Sequence, residues 1–351
     1  MKPKSTLGCI SLLVFFCPQI HGIAQDQSTQ QSTENRVDPD LNDGETKEDQ
    51  SSSSSSNKEK PRAKFKFKKH GALVYDRRED YRLTLDVYQP EGNGPFPAVL
   101  AVHGGAWRSG SKITMLRHAW ELASAGYVVV AINYRHAPKY KFPAQIHDCK
   151  QAVRWIRYHA DQYSIDPNRV AAFGYSAGGH LVSLLGTAGA EDGLEGPIKD
   201  ERLEDISTRV QAVIAGGAVC DFKWVDPESR ILNYWIGTNR GQDPAAYLKA
   251  SPTHYISKDD PPFFFFHGEE DAVVPISSPK NMHQKLVDMG IPSQFNAVSG
   301  KGHLATFGDI KQMNKCIEFL NQRMPDLKTD STKTSVGPAK SSAGKPARKD
   351  N

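Results

Sequence analysis

The sequence predicts an α/β protein: a mostly parallel central sheet with helices on both faces. Three observations carry this. Short, near-continuous apolar runs bounded by turn residues recur along the chain, as in strands buried on both faces. Segments with apolar residues at helical spacing lie between them, and such alternation builds a parallel sheet. One strictly alternating segment, Tyr81–Tyr88, stands ahead of the buried runs and reads as a half-buried antiparallel strand.

The elements follow in order. Ala63–His70 alternates lysine with Phe65 and Phe67, the pattern of an edge strand blunted by charge. The sharper alternative for this stretch is a patch for acidic polymers or a membrane surface. In Tyr81–Tyr88, Leu83, Leu85 and Val87 face one way and Arg82, Thr84 and Asp86 the other. Buried strands are expected at Ala98–Val102, Tyr127–Ile132, Val170–Phe173, Val210–Ala215, Phe263–Phe266 and Gln294–Val298. Helices are expected at Met115–Ala125, Ala144–Tyr163, Ala177–Gly186, Ser277–Gly290 and Thr306–Arg323. In such sheets a site forms at the carboxyl ends of the strands.

The 351 residues divide by composition. Lys2 and Lys4, the apolar stretch Leu7–Phe16 and the small residues Gly22 and Ala24 read as a secretory signal peptide over 1–24. Residues 25–66 form a polar linker expected to be disordered, with a serine run at Ser51–Ser56. Residues 67–325 suit one large domain, and 326–351 form a basic, polar tail also expected to be disordered. The leader implies a secreted or periplasmic protein with no stable membrane anchor after cleavage. Five cysteines are too few for a disulfide scaffold. Beyond the leader, Cys149, Cys220 and Cys316 allow at most one internal disulfide. Forty-four basic against 40 acidic residues is too even a balance for a nucleic-acid binder.

Gly174-Tyr175-Ser176-Ala177-Gly178 follows one buried strand and opens a helix. This is the G-x-S-x-G context of strand, sharp turn and helix, which exposes a serine hydroxyl. The plain alternative is a glycine-rich turn with a capping serine. A serine nucleophile needs a base, and a histidine base needs an orienting carboxylate. Glu269-Glu270-Asp271 follows the Phe263–Phe266 strand, and His303 follows the last strand. Asp271 is the chosen acid, being nearest the Val274-Pro275 turn; His303 is the chosen base ahead of His254 and His283. His103-Gly104-Gly105-Ala106-Trp107 follows the Ala98–Val102 strand. Its Gly104 or Gly105 N–H, with that of Ala177, would hold an oxyanion. Trp107 and Tyr175 are the candidate substrate contacts. Trp224, Tyr234 and Trp235 would form a cap over the substrate or pack within their insertion, and Asp148 reads as an ion-pair partner. The near phosphate loop at 105–112 is broken by Ser111, and no zinc spacing occurs.

These motifs in this order resemble the α/β-hydrolase superfamily over nearly all of 70–322. Within it, His-Gly-Gly-Ala-Trp, the Tyr134–Pro138 and Phe142–Ala144 stretches, Gly-Tyr-Ser-Ala-Gly-Gly-His-Leu and His-Gly-Glu-Glu-Asp-Ala-Val-Val-Pro look like the bacterial esterase/lipase group. That group includes hormone-sensitive-lipase-like and feruloyl-esterase-like (BD-FAE) hydrolases. Ala106 in place of a third glycine, and Tyr175 in place of an aspartate, favour the feruloyl-esterase-like branch, which is also similar to kynurenine formamidase. The resemblance implies carboxylic ester hydrolysis through an acyl-enzyme, with no metal or organic cofactor. Export would make small-molecule or polysaccharide esters the substrates. The alternatives are a peptidase or formamidase of the same fold, or a non-catalytic binding module.

Overall fold

The computed structural model describes residues 64–78, 81–223 and 225–325. The expected leader, nearly all of the polar linker, the tail and Trp224 lie outside the described residues. The strands are β1 (Phe67–Arg78), β2 (Tyr81–Pro90), β3 (Phe96–Val102), β4 (Val128–Ile132), β5 (Ile165–Tyr175), β6 (Ala212–Gly216), β7 (Phe263–Gly268) and β8 (Ser293–Val298). The helices are α1 (Leu116–Ser124), α2 (Ala144–Tyr158), α3 (Ala177–Thr187), α4 (Arg230–Ile236), α5 (Pro244–Ala250), α6 (Ser277–Asp288), α7 (His303–Phe307) and α8 (Ile310–Arg323).

One sheet holds all eight strands in the order β1-β2-β4-β3-β5-β6-β7-β8. The β1–β2 and β2–β4 pairings are antiparallel, and every pairing from β4 to β8 is parallel. The chain winds from β3 to β4 on one side and then crosses back to β5 on the other. The carboxyl end of β3 is therefore a switch point, where such sheets open a crevice.

Side chains alternate between the faces of each buried strand. Leu100 and Val102 join the layer of α2, α3 and α6, with Ile146, Val153, Leu181 and Met282. Val99 and Ala101 join the layer of α1 and α8, with Leu122, Met313 and Phe319. The four phenylalanines of β7 divide the same way, Phe263 and Phe265 to one layer and Phe264 and Phe266 to the other. A strand buried on both faces has no polar positions to spare, which is why these runs read as continuous.

Several expectations change in detail. Phe65, expected in the linker, belongs to the domain: its N–H donates to the Ser124 carbonyl at 2.8 Å and its ring meets Phe96. The helix expected at Ala144–Tyr163 ends at Tyr158, and residues 159–163 form turns. The helix expected at Thr306–Arg323 is two helices, because Asp309 caps a new start by accepting the Lys311 N–H at 3.0 Å. The polar face of β2 is not solvated at Asp86. That carboxylate is buried between Lys112 (2.8 Å) and Lys69 (3.0 Å). Cys149, Cys220 and Cys316 are all buried free thiols, so none forms the disulfide that the count allowed.

Asp148 is the ion-pair partner expected. Its side chain is fully buried, and its oxygens accept from Arg135 Nη2 at 2.7 Å, Nε at 3.0 Å and the Arg135 N–H at 2.9 Å. This pins the segment after β4 onto α2. Removing one partner strands a buried charge, so Asp148→Ala is expected to cost about 3–5 kcal/mol. A drop of the urea midpoint of that size checks it; a change below about 1 kcal/mol, the worth of a surface pair, would overturn it.

Candidate active site

Ser176 stands between β5 and α3 with φ 57° and ψ −122°, a backbone conformation rare outside glycine. Its N–H donates to the Gly216 carbonyl at 2.8 Å, and its carbonyl accepts from His180 N–H at 2.9 Å. The turn can be this sharp because α3 lies against β3. A methyl group on Gly178 would stand 2.1 Å from the Val102 carbonyl oxygen, so only glycine permits the contact.

The acid and base follow β7 and β8. Asp271 has a fully buried side chain. Its Oδ1 accepts from the N–H groups of Val273 and Val274, each at 2.9 Å, and its Oδ2 accepts from His303 Nδ1 at 2.6 Å. Glu269 and Glu270, the competing acids, are exposed. Burial pushes the Asp271 carboxyl up, but hydrogen bonds from His267, His303 and Val274 outweigh it and hold the group well below the usual carboxylate range. The two loops are tied together, Glu270 N–H donating to the Lys301 carbonyl at 3.1 Å.

His303 is brought to the serine by its neighbours. The hydroxyl of Tyr175, the residue before Ser176, donates to the His303 carbonyl at 2.6 Å, and the two rings lie 5.1 Å apart. A methyl group on Gly217 would stand 3.0 Å from His303 Cε1, and Gly217 follows the residue that holds the Ser176 N–H. With Nδ1–H committed to Asp271, Nε2 carries the lone pair. No hydrogen bond joins Nε2 to Ser176 Oγ among the described residues; such contacts are commonly long in the free state.

Gly104 faces the serine from β3: a methyl group there would stand 3.1 Å from Ser176 Cβ. The loop then runs through three positive φ values, 119° at Gly105, 51° at Ala106 and 58° at Trp107. The N–H groups of Gly104 and Gly105 donate to no partner among the described residues. Ala177 opens α3, where the first N–H groups have no intrahelical acceptor.

Two expectations are corrected. Trp107 is not a pocket wall. It is 3% exposed, stacked on Trp235 with centroids 4.0 Å apart, and its Nε1–H donates to His180 Nδ1 at 3.1 Å. Tyr175 is likewise 3% exposed and holds the His303 loop. Both face the interior because each anchors a strained loop. Trp235 packs in the core, Tyr234 beside it is exposed, and His283 on α6 bonds Ser293 at the start of β8.

His180 was not singled out by the sequence, although it lies one helical turn after Ser176. It accepts from Trp107 and donates through Nε2 to the Ala250 carbonyl at 2.8 Å. Burial pushes its pKa down to about 4, so the neutral ring bridges loop and insertion. Gln145 was also missed; its Oε1 accepts from Trp235 Nε1 at 2.9 Å.

The strand order, the turn at Ser176 and the acid–imidazole pair define an α/β hydrolase. A family model described as BD-FAE matches residues 85–286, and the chain belongs to that family. Its relatives include the "Probable carboxylic ester hydrolase LipM" of Mycobacterium tuberculosis (strain ATCC 25618 / H37Rv), 34% identical over 220 residues, covering 60% of this chain and 47% of the relative. The chain spans about half the length of the curated relatives it matches. Among solved structures, a truncated form of a carbohydrate esterase from gut microbiota superposes with TM-score 0.66 at 25% identity, over 75% of this chain and 98% of that one. Thermogutta terrifontis esterase 2 phosphorylated by paraoxon gives 0.61 at 27%, over 72% and 93%.

Two measurements test the site's wiring. Trp107→Phe keeps a ring for the stack but strands His180 Nδ1, so it is expected to cost about 1–3 kcal/mol in urea unfolding. An unchanged midpoint would remove the bond from the account. Because the Asp271 carboxyl is lowered on folding, it stabilises the fold fully above its unfolded value near 4, and the contribution is lost as pH falls toward the folded value. The stability gap between wild type and Asp271→Asn should stay level above about pH 5 and narrow below about pH 4. A gap that widens on acidification contradicts the charged, hydrogen-bonded carboxylate.

Proposed function

We propose that this chain is a serine carboxylic ester hydrolase that works through an acyl-enzyme at Ser176. The observation that carries it is the buried Asp271–His303 pair, with Nε2 left free beside a serine in a strained turn. His303 Nε2 takes the hydroxyl proton as Ser176 attacks the ester carbonyl. Asp271 fixes the Nδ1–H tautomer and stabilises the imidazolium that forms. The N–H groups of Gly104 or Gly105 and of Ala177 hold the negative oxygen of the tetrahedral intermediate. His303 then protonates the leaving alcohol and later activates water for deacylation.

The finer reading is an exported enzyme acting on acyl or feruloyl esters of polysaccharides. Two features support it: the leader-like residues 1–24 and the likeness to a carbohydrate esterase.

p-Nitrophenyl esters of increasing acyl length, offered to wild type and Ser176→Ala, test the chemistry. The variant is expected to lose about 10⁴-fold or more in kcat, and a fluorophosphonate should label wild type only. Absence of both turnover and labelling in wild type would favour a binding module. Release of acetate or ferulate from polysaccharide would support the finer reading, and confinement of activity to formamides or peptides would displace it.

A further inference from the structure

His267 lies near the end of β7, four residues before Asp271, and its side chain is fully buried. Nε2 stands 2.9 Å from the Val274 carbonyl oxygen and 3.2 Å from Asp271 Oδ2. Both neighbours only accept hydrogen bonds, so the proton belongs on Nε2. Nδ1 is buried with no partner among the described residues. A second proton there would be a buried donor with no acceptor.

The surrounding bonds close on themselves. Val274 N–H donates to Asp271 Oδ1, and the Val274 carbonyl accepts from His267. The same His267 Nε2 lies 3.2 Å from Asp271 Oδ2, the oxygen that accepts from His303 Nδ1. Packing alone does not explain an imidazole here. The four preceding residues of β7 are phenylalanine, whereas His267 brings into the core a nitrogen with no partner among the described residues.

Building on the reading of Ser176, His303 and Asp271 as the catalytic groups, we infer that His267 is a positioning residue: its Nε2–H, held by the Val274 carbonyl beside Oδ2, keeps the Asp271 carboxylate aimed at His303 and tempers its pull on the imidazole proton. His267 touches no reacting atom. Its loss removes the polar N–H that lies 3.2 Å from Oδ2, makes the carboxylate more basic and favours the protonated form of His303. The acid limb of kcat/KM then moves to higher pH. The other titratable side chains on neighbouring elements are Tyr175 of β5, Lys280, His283, Lys285 and Asp288 of α6, Lys311, Lys315, Cys316, Glu318 and Arg323 of α8, the exposed Glu269 and Glu270, and the Lys301–Asp309 pair at 3.4 Å. All are retained in the variants below.

The test compares pH profiles of p-nitrophenyl acetate hydrolysis by wild type, His267→Phe and His267→Gln. In His267→Phe, kcat is expected to fall about tenfold with KM within about twofold, and the acid limb to rise by about half a pH unit or more. Glutamine, which carries an N–H at a similar reach, should bring the limb back. A limb that stays with wild type in folded His267→Phe overturns the inference. Nitrogen-15 histidine spectra of wild type need no variant: the inference requires His267 to remain the neutral Nε2–H tautomer from about pH 5 to 8. A titrating ring, or an Nδ1–H tautomer, overturns it. Failure of the hydrolase reading is separately visible as wild type that neither turns over nor labels with fluorophosphonate, and the spectra decide on His267 even then.

Discussion

Ser176 holds a backbone conformation that costs a non-glycine residue about 1–3 kcal/mol, and such strain persists only where surrounding contacts over-determine it. Here they come from three sides. The serine N–H is held by β6, its carbonyl by α3, and α3 itself is seated on β3 through the bare face of Gly178. The turn lifts the hydroxyl out at the switch point of the sheet. Everything else in the site is arranged around that fixed atom, because loops can be adjusted to a strand end more cheaply than a strand end to loops.

The loop after β3 shows the same logic with a different anchor. Three successive positive φ values cannot be maintained by backbone preference in Ala106 and Trp107. The Trp107 side chain holds them, buried against Trp235 and bonded to His180. His180 continues to the Ala250 carbonyl at the end of α5, and Trp235 continues to Gln145 on α2. The insertion after β6 is therefore part of the scaffold of that loop. A change in the packing of α4 or α5 reaches the reacting centre through two side chains.

Strands β3, β4, β6 and β7 were legible because they are buried on both faces, which removes ambiguity about which residues they contain. Ser176 and Asp271 could be located because each follows a largely buried strand, whereas His303 follows β8, an edge strand with several exposed positions that the sequence marks less clearly. Asp271 could be chosen over Glu269 and Glu270 as the acid nearest the Val274-Pro275 turn, and in the structure its Oδ1 accepts the Val274 N–H of that turn. What stayed hidden depends on distant partners. Trp107 and Tyr175 flank the motifs, and sequence position alone made them substrate contacts; their inward orientation is set by Trp235, His180 and the His303 carbonyl. Helices α4 and α5 are single short stretches without a full amphipathic period, so nothing in their spacing marked them. The split before α8 had a signal in Gly308-Asp309, but the apolar spacing ran through it.

Three histidines around the serine, each in a fixed tautomer, explain how one base is selected from several imidazoles. His180 has both nitrogens engaged, one accepting from Trp107 and one donating to Ala250. His267 donates through Nε2, and its other nitrogen is sealed in the core. Of these three, His303 is the one whose unclaimed nitrogen is not sealed in the core, on a side chain 9% exposed. A general base must be both oriented and reachable. Burial removes reach from the first two and leaves them as hydrogen-bonding struts. The carboxylate of Asp271 supplies orientation to the third, so the lone pair left on Nε2 belongs to a ring that is both oriented and reachable.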